Sequence, residues 1–200
     1  MFGLPLSTVL NRPLPKKNIY AKFNMSPAHR AKFDEDIRRL AIIGEISPTT
    51  TNILAGDNVK SFYIVQVSLR TQDYDLKNIV LLARLIEQNM LFVLEYEGKV
   101  RLAVYRAKLL QSEWLPLEEL VMRLSGLNLD SVWENLIIQI GGLQIEKGNS
   151  LDEQLAIDEE RAKLKRKIDQ LERQARSEKQ PKRKFELVQE VKRLQELAGQ

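Results

Sequence analysis

The sequence predicts a fold of the α/β class, in the α+β sense: a small mixed sheet with flanking helices and a C-terminal antiparallel helical hairpin. Two observations lead to this prediction. Residues 60–106 show the pattern of a strand, a helix and two further strands joined by a hairpin turn. After residue 149, glycine is absent until Gly199 and charged residues become dense. We therefore expect an α/β body at residues 1–148 and a charged, coiled-coil-like helical hairpin at residues 149–200.

The composition excludes several classes of function. The chain has 200 residues, which is enough for one domain with an appendage. Its formal net charge of +4 makes it only mildly basic. It contains no cysteine, so disulfides, thiolate catalysis and Cys-ligated zinc are excluded. No apolar run reaches the roughly 20 residues of a membrane helix and no secretory signal is visible, so we expect a cytoplasmic protein. Because no metal-binding or cofactor-binding motif is present, we expect neither a metal nor a cofactor.

The N-terminal part predicts an extended arm followed by a helix. Pro5, Pro13 and Pro15 interrupt any helix in the first 23 residues. Ser26 and Pro27 then provide a helix cap and a first helical residue. The apolar positions that follow recur at helical spacing and predict one stripe on this helix, made of Phe33, Ile37, Leu40 and Ala41. Residues 41–58 are punctuated by glycine and proline, which predicts short extended pieces.

The central stretch predicts a strand, a helix and a β-hairpin. Residues 63–69 are rich in β-branched side chains and alternate with polar ones, as a strand does. Asp75 caps a helix whose wide apolar stripe predicts that it continues to a left-handed exit at Asn89. The apolar run 90–94 predicts a strand covered on both faces, followed by a Glu-Gly-Lys turn. A strand, a helix and a strand in this order imply a parallel pair with a right-handed crossover.

Two more helices are predicted before the hairpin. The first covers residues 117–124, after Trp114 and Pro116, and Gly126 breaks it. The second begins at Asp130 or Ser131, which can each cap a helix, and it ends at the glycine pair 141–142.

The C-terminal hairpin is predicted from capping and heptad signals. Ser150 or Asp152 caps its first helix, which runs for about 25 residues, and Pro181 breaks it. Apolar residues on both helices keep the spacing of a coiled-coil seam. We predict that the hairpin interface consists of Ile157, Leu164, Ile168, Leu171, Leu187, Val191 and Leu194. A single hairpin buries little apolar area, so we expect it to lean on the body or on a partner.

The turn of this hairpin concentrates positive charge. Its basic residues are Arg173, Arg176, Lys179, Lys182, Arg183 and Lys184. Such a run is typical of a solvated tip, and it also suits contact with a phosphate backbone or an acidic protein surface. Phe185 is the one aromatic residue nearby, which argues against stacking on single-stranded bases.

Five segments together resemble a known family. They are, in order, FGLP, SPTTTNILAG, LFVLEYEGK, LNLDSVWENLIIQI and KRKFELVQEVKRLQEL. Their order resembles the bacterial and archaeal family named domain of unknown function 4391, over nearly the whole chain. Members of that family are typically encoded near DNA helicases and DNA methyltransferases. The resemblance therefore implies a setting in restriction or defence loci, and it implies no active site.

Three functions remain open from the sequence. The first is a non-enzymatic accessory or adaptor protein of a restriction-modification or phage-defence-like system, which docks on a helicase or methyltransferase through the hairpin. The second is a nuclease of the restriction-endonuclease type, with Glu97 and Lys99 as its Glu-x-Lys pair and Asp73 or Asp75 as the second carboxylate. A glycine turn between Glu97 and Lys99 argues against it, because such a site needs both side chains on one face of a strand. The third is direct binding of nucleic acid by the basic hairpin tip, which is compatible with the first.

Overall fold

The computed structural model describes residues 2–198, and the chain divides into two compact units, residues 1–144 and 145–200. The first unit carries a sheet of seven strands within the described residues: β1 (Val9–Pro13), β2 (Ile37–Ile46), β3 (Phe62–Leu69), β4 (Asn89–Tyr96), β5 (Lys99–Arg106), β6 (Lys108–Gln111) and β7 (Leu115–Pro116). Its helices are α1 (Lys16–Lys22), α2 (Pro27–Asp36), α3 (Pro48–Thr51), α4 (Leu76–Leu82) and α5 (Leu129–Gly141). The second unit consists of α6 (Leu151–Ser177) and α7 (Pro181–Ala198).

The sheet is mixed, as predicted. Its strand order is β1-β2-β3-β4-β5-β6, and β7 pairs with β5 at the side of this path. β3 and β4 are parallel, and the other neighbours are antiparallel. A parallel pair needs a crossover connection, and α4 lies in that connection. The predicted core of strand, helix, strand and hairpin is therefore confirmed.

The N-terminal segment is part of the sheet and differs from the extended arm that its prolines predict. β1 pairs antiparallel with β2 and lies at the edge of the sheet, and Pro13 is its last residue. An edge strand tolerates proline there, because one side of the strand needs no ladder hydrogen bond. α1 follows directly after Pro15, which is its N-cap residue.

The predicted helical stripe from Phe33 to Ala41 is wrong beyond residue 36. α2 has Ser26 as its N-cap, as predicted, and ends at Asp36. β2 begins at Ile37 and pairs with β3 along most of its length. The local spacing fits a helix, but Ile37, Leu40 and Ala41 are buried as residues of a strand. The free energy gained from strand pairing and burial therefore exceeds the local preference for a helix.

Each face of the sheet carries helices. One face holds a core cluster in which α1, α2 and α4 contribute Ile19, Phe33 and Ile79, all buried against strand residues such as Val67 and Phe92. The opposite face packs against α5, where the rings of Phe62 and Trp133 have centroids 4.9 Å apart. Five buried residues in a row, 90–94, follow from this arrangement, because β4 is covered on both sides.

Three other predicted elements differ from the structure. α4 ends at Leu82, and Asn89 starts β4 where the sequence predicts a left-handed helix exit. Residues 117–124, predicted to be helical, contain only a short 3₁₀ turn at Leu117–Glu119 that follows β7. α5 is capped by Asn128, whose side chain accepts a hydrogen bond from the Ser131 backbone N–H.

The second unit is the predicted antiparallel hairpin, in which α6 and α7 pack together. Ser150 caps α6 in a capping box with Glu153. Gln154 is only 1% exposed, and its side chain holds the segment before this helix against the helix. Its Oε1 accepts from the backbone N–H of Glu146 and from the side chain of Asn149, each at 3.0 Å.

None of the helices in the described part of the chain combines the length and apolar character that crossing a membrane requires.

Candidate functional site

The basic residues predicted at the hairpin tip lie together on the surface. Arg173 and Arg176 belong to the last turns of α6, Lys179 lies in the connection, and residues 182–184 form the start of α7. All six side chains are exposed. The end of α6 and the start of α7 thus both expose positively charged side chains to solvent.

Acidic neighbours neutralise little of this charge. Arg176 pairs with Glu172 at 3.6 Å and Arg183 with Glu178 at 3.5 Å. The Glu178 carboxylate also accepts hydrogen bonds from the backbone N–H of Gln180 and of Lys179, and these lower its pKa. Within residues 2–198 the other four tip cations have no ion-pair partner: Arg173, Lys179, Lys182 and Lys184.

Charge is distributed unevenly along the hairpin. Residues 161–193 contain thirteen Lys and Arg against five Asp and Glu, whereas residues 145–160 contain one Lys against six Asp and Glu. The end of the hairpin nearer its connection is therefore basic, and the beginning of α6 is acidic. Such an asymmetry favours an oriented encounter with a polyanion or an acidic protein surface, because the two ends have opposite electrostatic preferences.

The predicted interface residues of the hairpin differ in how far they are buried. Ile168, Val191 and Leu194 are buried, and Leu164 and Leu171 pack against them. Ile157 and Leu187 are half-buried. Leu187 lines a concavity beside the connection, and Ile157 lines a groove described next.

Two grooves on the hairpin are lined by apolar residues together with lysines, arginines and one glutamate each. The first, here the lower groove, has a volume of about 620 Å³ and is lined by Ala156, Ile157, Glu160, Arg161, Lys163, Leu164, Lys167 and Leu197. The second, the upper groove, has a volume of about 350 Å³ and is lined by Glu172, Ala175, Arg176, Lys184, Val188, Val191, Lys192 and Gln195. Leu197 is 53% exposed and Val188 is 38% exposed, so apolar surface of the hairpin remains open to solvent.

The residues proposed for a nuclease site lie on different structural features. Glu97 and Lys99 flank Gly98 in the turn between β4 and β5, where Glu97 has a φ of 45°. Asp75 caps α4 and accepts from the Lys77 backbone N–H at 2.9 Å, and Asp73 lies in the loop before it. In the described range 2–198 no group of three or more His, Cys, Asp or Glu side chains could hold a metal ion. Nuclease activity stays a prediction of the sequence.

One polar cavity on the sheet was not predicted. It has a volume of about 510 Å³ and is lined by Arg38, Arg39, Gln66, Ser68, Leu69, Glu95 and Glu97. Helical periodicity placed the two arginines on a helix surface, although they belong to β2. The sequence shows that Gln66 and Ser68 alternate with apolar residues of β3. This pattern does not predict that β2 and β4 are the neighbouring strands, which place charged residues beside them.

Comparison with protein families identifies one match, described as "Domain of unknown function (DUF4391)", over residues 2–197. It covers nearly the whole chain and confirms the resemblance seen in the five sequence segments. No curated protein and no solved structure matches this chain significantly.

Proposed function

The chain belongs to the family Domain of unknown function (DUF4391), and from that premise we propose that it is a non-enzymatic accessory protein that docks on a larger DNA-processing partner through its C-terminal hairpin. One observation carries the proposal: α6 and α7 form a compact unit whose two grooves expose apolar surface. The partner class, a DNA helicase or methyltransferase of a restriction-modification or phage-defence-like system, rests on the family resemblance.

The grooves suit an amphipathic helix with acidic flanks. Apolar residues on one face of a partner helix would cover Leu197 in the lower groove or Val188 in the upper groove, removing this surface from water. Lys167, Lys184 and Lys192 line the grooves without an ion pair among residues 2–198, and they would then meet acidic residues at the edges of that helix. Complementary charge of this kind orients a partner and discriminates against others more than it adds affinity.

Placing aspartate in both grooves is expected to abolish partner capture. Val188→Asp combined with Leu197→Asp puts one carboxylate among the apolar residues that line each groove, and removing a charge from water costs free energy when a partner covers it. Residues that dominate an interface cost about 2 kcal/mol or more when they are changed, so if these grooves hold the partner we expect binding to weaken at least about 30-fold. The measurement is affinity purification of the tagged full-length chain from its native cells, followed by identification and quantification of the co-purifying helicase or methyltransferase.

A matched control changes charge without touching either groove. Gln170→Asp combined with Gln189→Asp adds the same two charges at exposed polar positions of α6 and α7. This control should retain the partner, and circular dichroism should show equal helix content in both variants. Partner recovery at wild-type levels with the groove variant would reject the hairpin as the docking element.

A second function, direct binding of nucleic acid, is favoured by the charge of the hairpin tip. Converting Lys182, Arg183 and Lys184 to alanine together is expected to weaken DNA binding and to reduce the slope of log affinity against log salt by about 3, roughly one unit per lost phosphate contact. Fluorescence anisotropy with a labelled duplex, at several salt concentrations, measures both quantities.

The control for this experiment removes three exposed lysines from the body, Lys17, Lys77 and Lys99. It lowers net charge by the same amount as the tip variant, so a general effect of charge would appear in both. We expect only the tip variant to change the slope. Equal slopes for the wild type and the tip variant would exclude the tip as a phosphate-binding element.

A further inference from the structure

The polar cavity of the sheet lies at the carboxyl ends of the parallel strands. Ser68 and Leu69 are the last residues of β3, and Glu95 is the next-to-last residue of β4. Arg38 and Arg39 lie at the start of β2, which runs antiparallel to β3, and Glu97 lies in the turn after β4. In open sheets with parallel strands, ligands bind preferentially outside the carboxyl ends of those strands.

Strand pairing brings the polar residues onto one face. Arg39 pairs with Ser68, and Ser68 in turn pairs with Glu95, so these three side chains form one row across β2, β3 and β4. Gln66 lies two residues before Ser68 on the same face. Its Nε2 donates a hydrogen bond of 2.5 Å to Glu95 Oε2, which fixes the orientation of that carboxylate.

A bulge in β2 directs two consecutive arginines toward the same cavity. Successive residues of a regular strand point to opposite faces. Between Ile37 and Arg39 the pairing register with β3 shifts by one residue, and both Arg38 and Arg39 line the cavity. Bulges commonly redirect a side chain in this way beside binding sites.

The two arginines of the cavity have no partner within the described part of the protein, whereas Glu95 accepts a hydrogen bond from Gln66. Both guanidinium groups are exposed, and neither has an ion-pair or hydrogen-bond partner among residues 2–198. Glu95 and Glu97 line the same space without pairing with them. Cations and carboxylates held apart around a volume of about 510 Å³ leave room for a ligand that satisfies both.

α5 covers the other end of this face and leaves the polar end open. Phe62, at the start of β3, packs on Trp133 of α5, and Gln66 and Ser68 follow on the same face. No residue of α5 is among those lining the cavity within the described chain.

We propose that this cavity binds a nucleotide, with its phosphate held by Arg38 and Arg39 and its amino or hydroxyl donors accepted by Glu95. Guanidinium groups match phosphate oxygens with paired hydrogen bonds, and two neighbouring guanidiniums supply several donors. A carboxylate oriented by Gln66 accepts from the N–H of a base or the O–H of a sugar. Inorganic phosphate would bind the arginines alone, and Glu95 would accept only from Gln66 and gain no second donor from the ligand.

This site lies on the body, so it does not depend on the docking role proposed for the hairpin. Two sources of the ligand share the same chemistry: a free mononucleotide and a nucleotide unit of a nucleic-acid strand. They are distinguished by comparing their affinities for the same cavity.

The test is isothermal titration calorimetry of the full-length chain with the nucleoside 5′-monophosphates, inorganic phosphate and a 5′-phosphorylated hexanucleotide. The hexanucleotide is titrated into the variant with Lys182, Arg183 and Lys184 changed to alanine, so that the hairpin tip does not contribute. We expect Arg38→Ala combined with Arg39→Ala to weaken nucleotide binding about 10- to 100-fold, since charged hydrogen bonds are lost. Arg12→Ala combined with Arg123→Ala, two exposed arginines outside the cavity, should leave it unchanged.

Glu95→Gln supplies the second measurement. It should weaken nucleotide binding and leave inorganic phosphate binding as it is. Tighter binding of a mononucleotide than of the hexanucleotide identifies the free nucleotide as the ligand, and the reverse order identifies a strand. The proposal is overturned if no nucleotide binds, if the double arginine variant binds as the wild type does, or if inorganic phosphate binds as tightly as the best nucleotide.

Discussion

Asp36→Ala is expected to lower the free energy of unfolding of the body by about 2–5 kcal/mol, because two hydrogen-bond donors lose a charged acceptor in a buried place. The Asp36 side chain is fully buried at the end of α2. Its Oδ2 accepts from the backbone N–H of Asp75 and from Asn78 Nδ2, each at 2.8 Å, and so joins α2 to the start of α4. Lys32 Nζ lies 3.3 Å from the other carboxylate oxygen.

Thermal unfolding followed by circular dichroism measures this loss, which corresponds to a fall of about 10 °C in the melting temperature for a chain of this size. Glu35→Ala is the matched control, since Glu35 precedes Asp36 on α2 and has a side chain 69% exposed. We expect that control to stay within about 0.5 kcal/mol of the wild type. Asp36→Asn keeps an oxygen acceptor and should fall between the two. A change below 1 kcal/mol for Asp36→Ala would contradict the assigned role.

Gly56→Ala is expected to destabilise the body by about 1–3 kcal/mol, in the range of other overpacked positions. A Cβ at this position would lie 2.2 Å from Asp130 Cγ and 2.7 Å from the Asp130 backbone nitrogen. The Asp130 side chain cannot yield easily, because its oxygens accept from the backbone N–H groups of residues 57–59, including Val59 at 2.6 Å. These hydrogen bonds, that of Val59 first, lower the pKa of the Asp130 carboxyl.

In the Gly56→Ala variant the added Cβ is expected to push the loop of residues 56–59 away from the start of α5, which is a local effect. Chemical denaturation, with unfolding followed by tryptophan fluorescence, measures the change, because Trp133 lies on α5 one turn after Asp130. Ala55→Ser is the control at the neighbouring exposed position and should have almost no effect. Wild-type stability of Gly56→Ala would show that the loop can move without cost.

The strands of the central stretch could be predicted because their signals are local. β3, the turn at Gly98 and β5 follow from alternation and turn residues within each segment. The parallel pairing of β3 with β4 follows from the order strand, helix, strand, which implies a crossover connection. The helical hairpin was equally accessible, since its caps and seam repeat within one continuous segment. Its basic tip could be recognised from composition alone.

The errors lie where a local pattern supports two structures. The spacing of Ile37, Leu40 and Ala41 fits one face of a helix, and it also fits a strand that carries a bulge. Pairing with β3 decides between them: Ile37 pairs with Leu69, 32 positions away in the chain, and Ala41 pairs with Gln66, 25 positions away. Residues 117–124 were predicted as a helix for the same reason, although this segment follows a short strand against β5.

The class of the fold and the charged hairpin could be read from local patterns, and the pairing of β3 with β4, 27 positions apart, followed from the order strand, helix, strand. How the first forty residues enter the sheet and where the polar cavity lies depend on pairings that no such rule specifies. Arg39, Ser68 and Glu95 come from three strands and meet only through their register. The bulge that sets Arg38 beside Arg39 depends on that same pairing, which no local periodicity specifies.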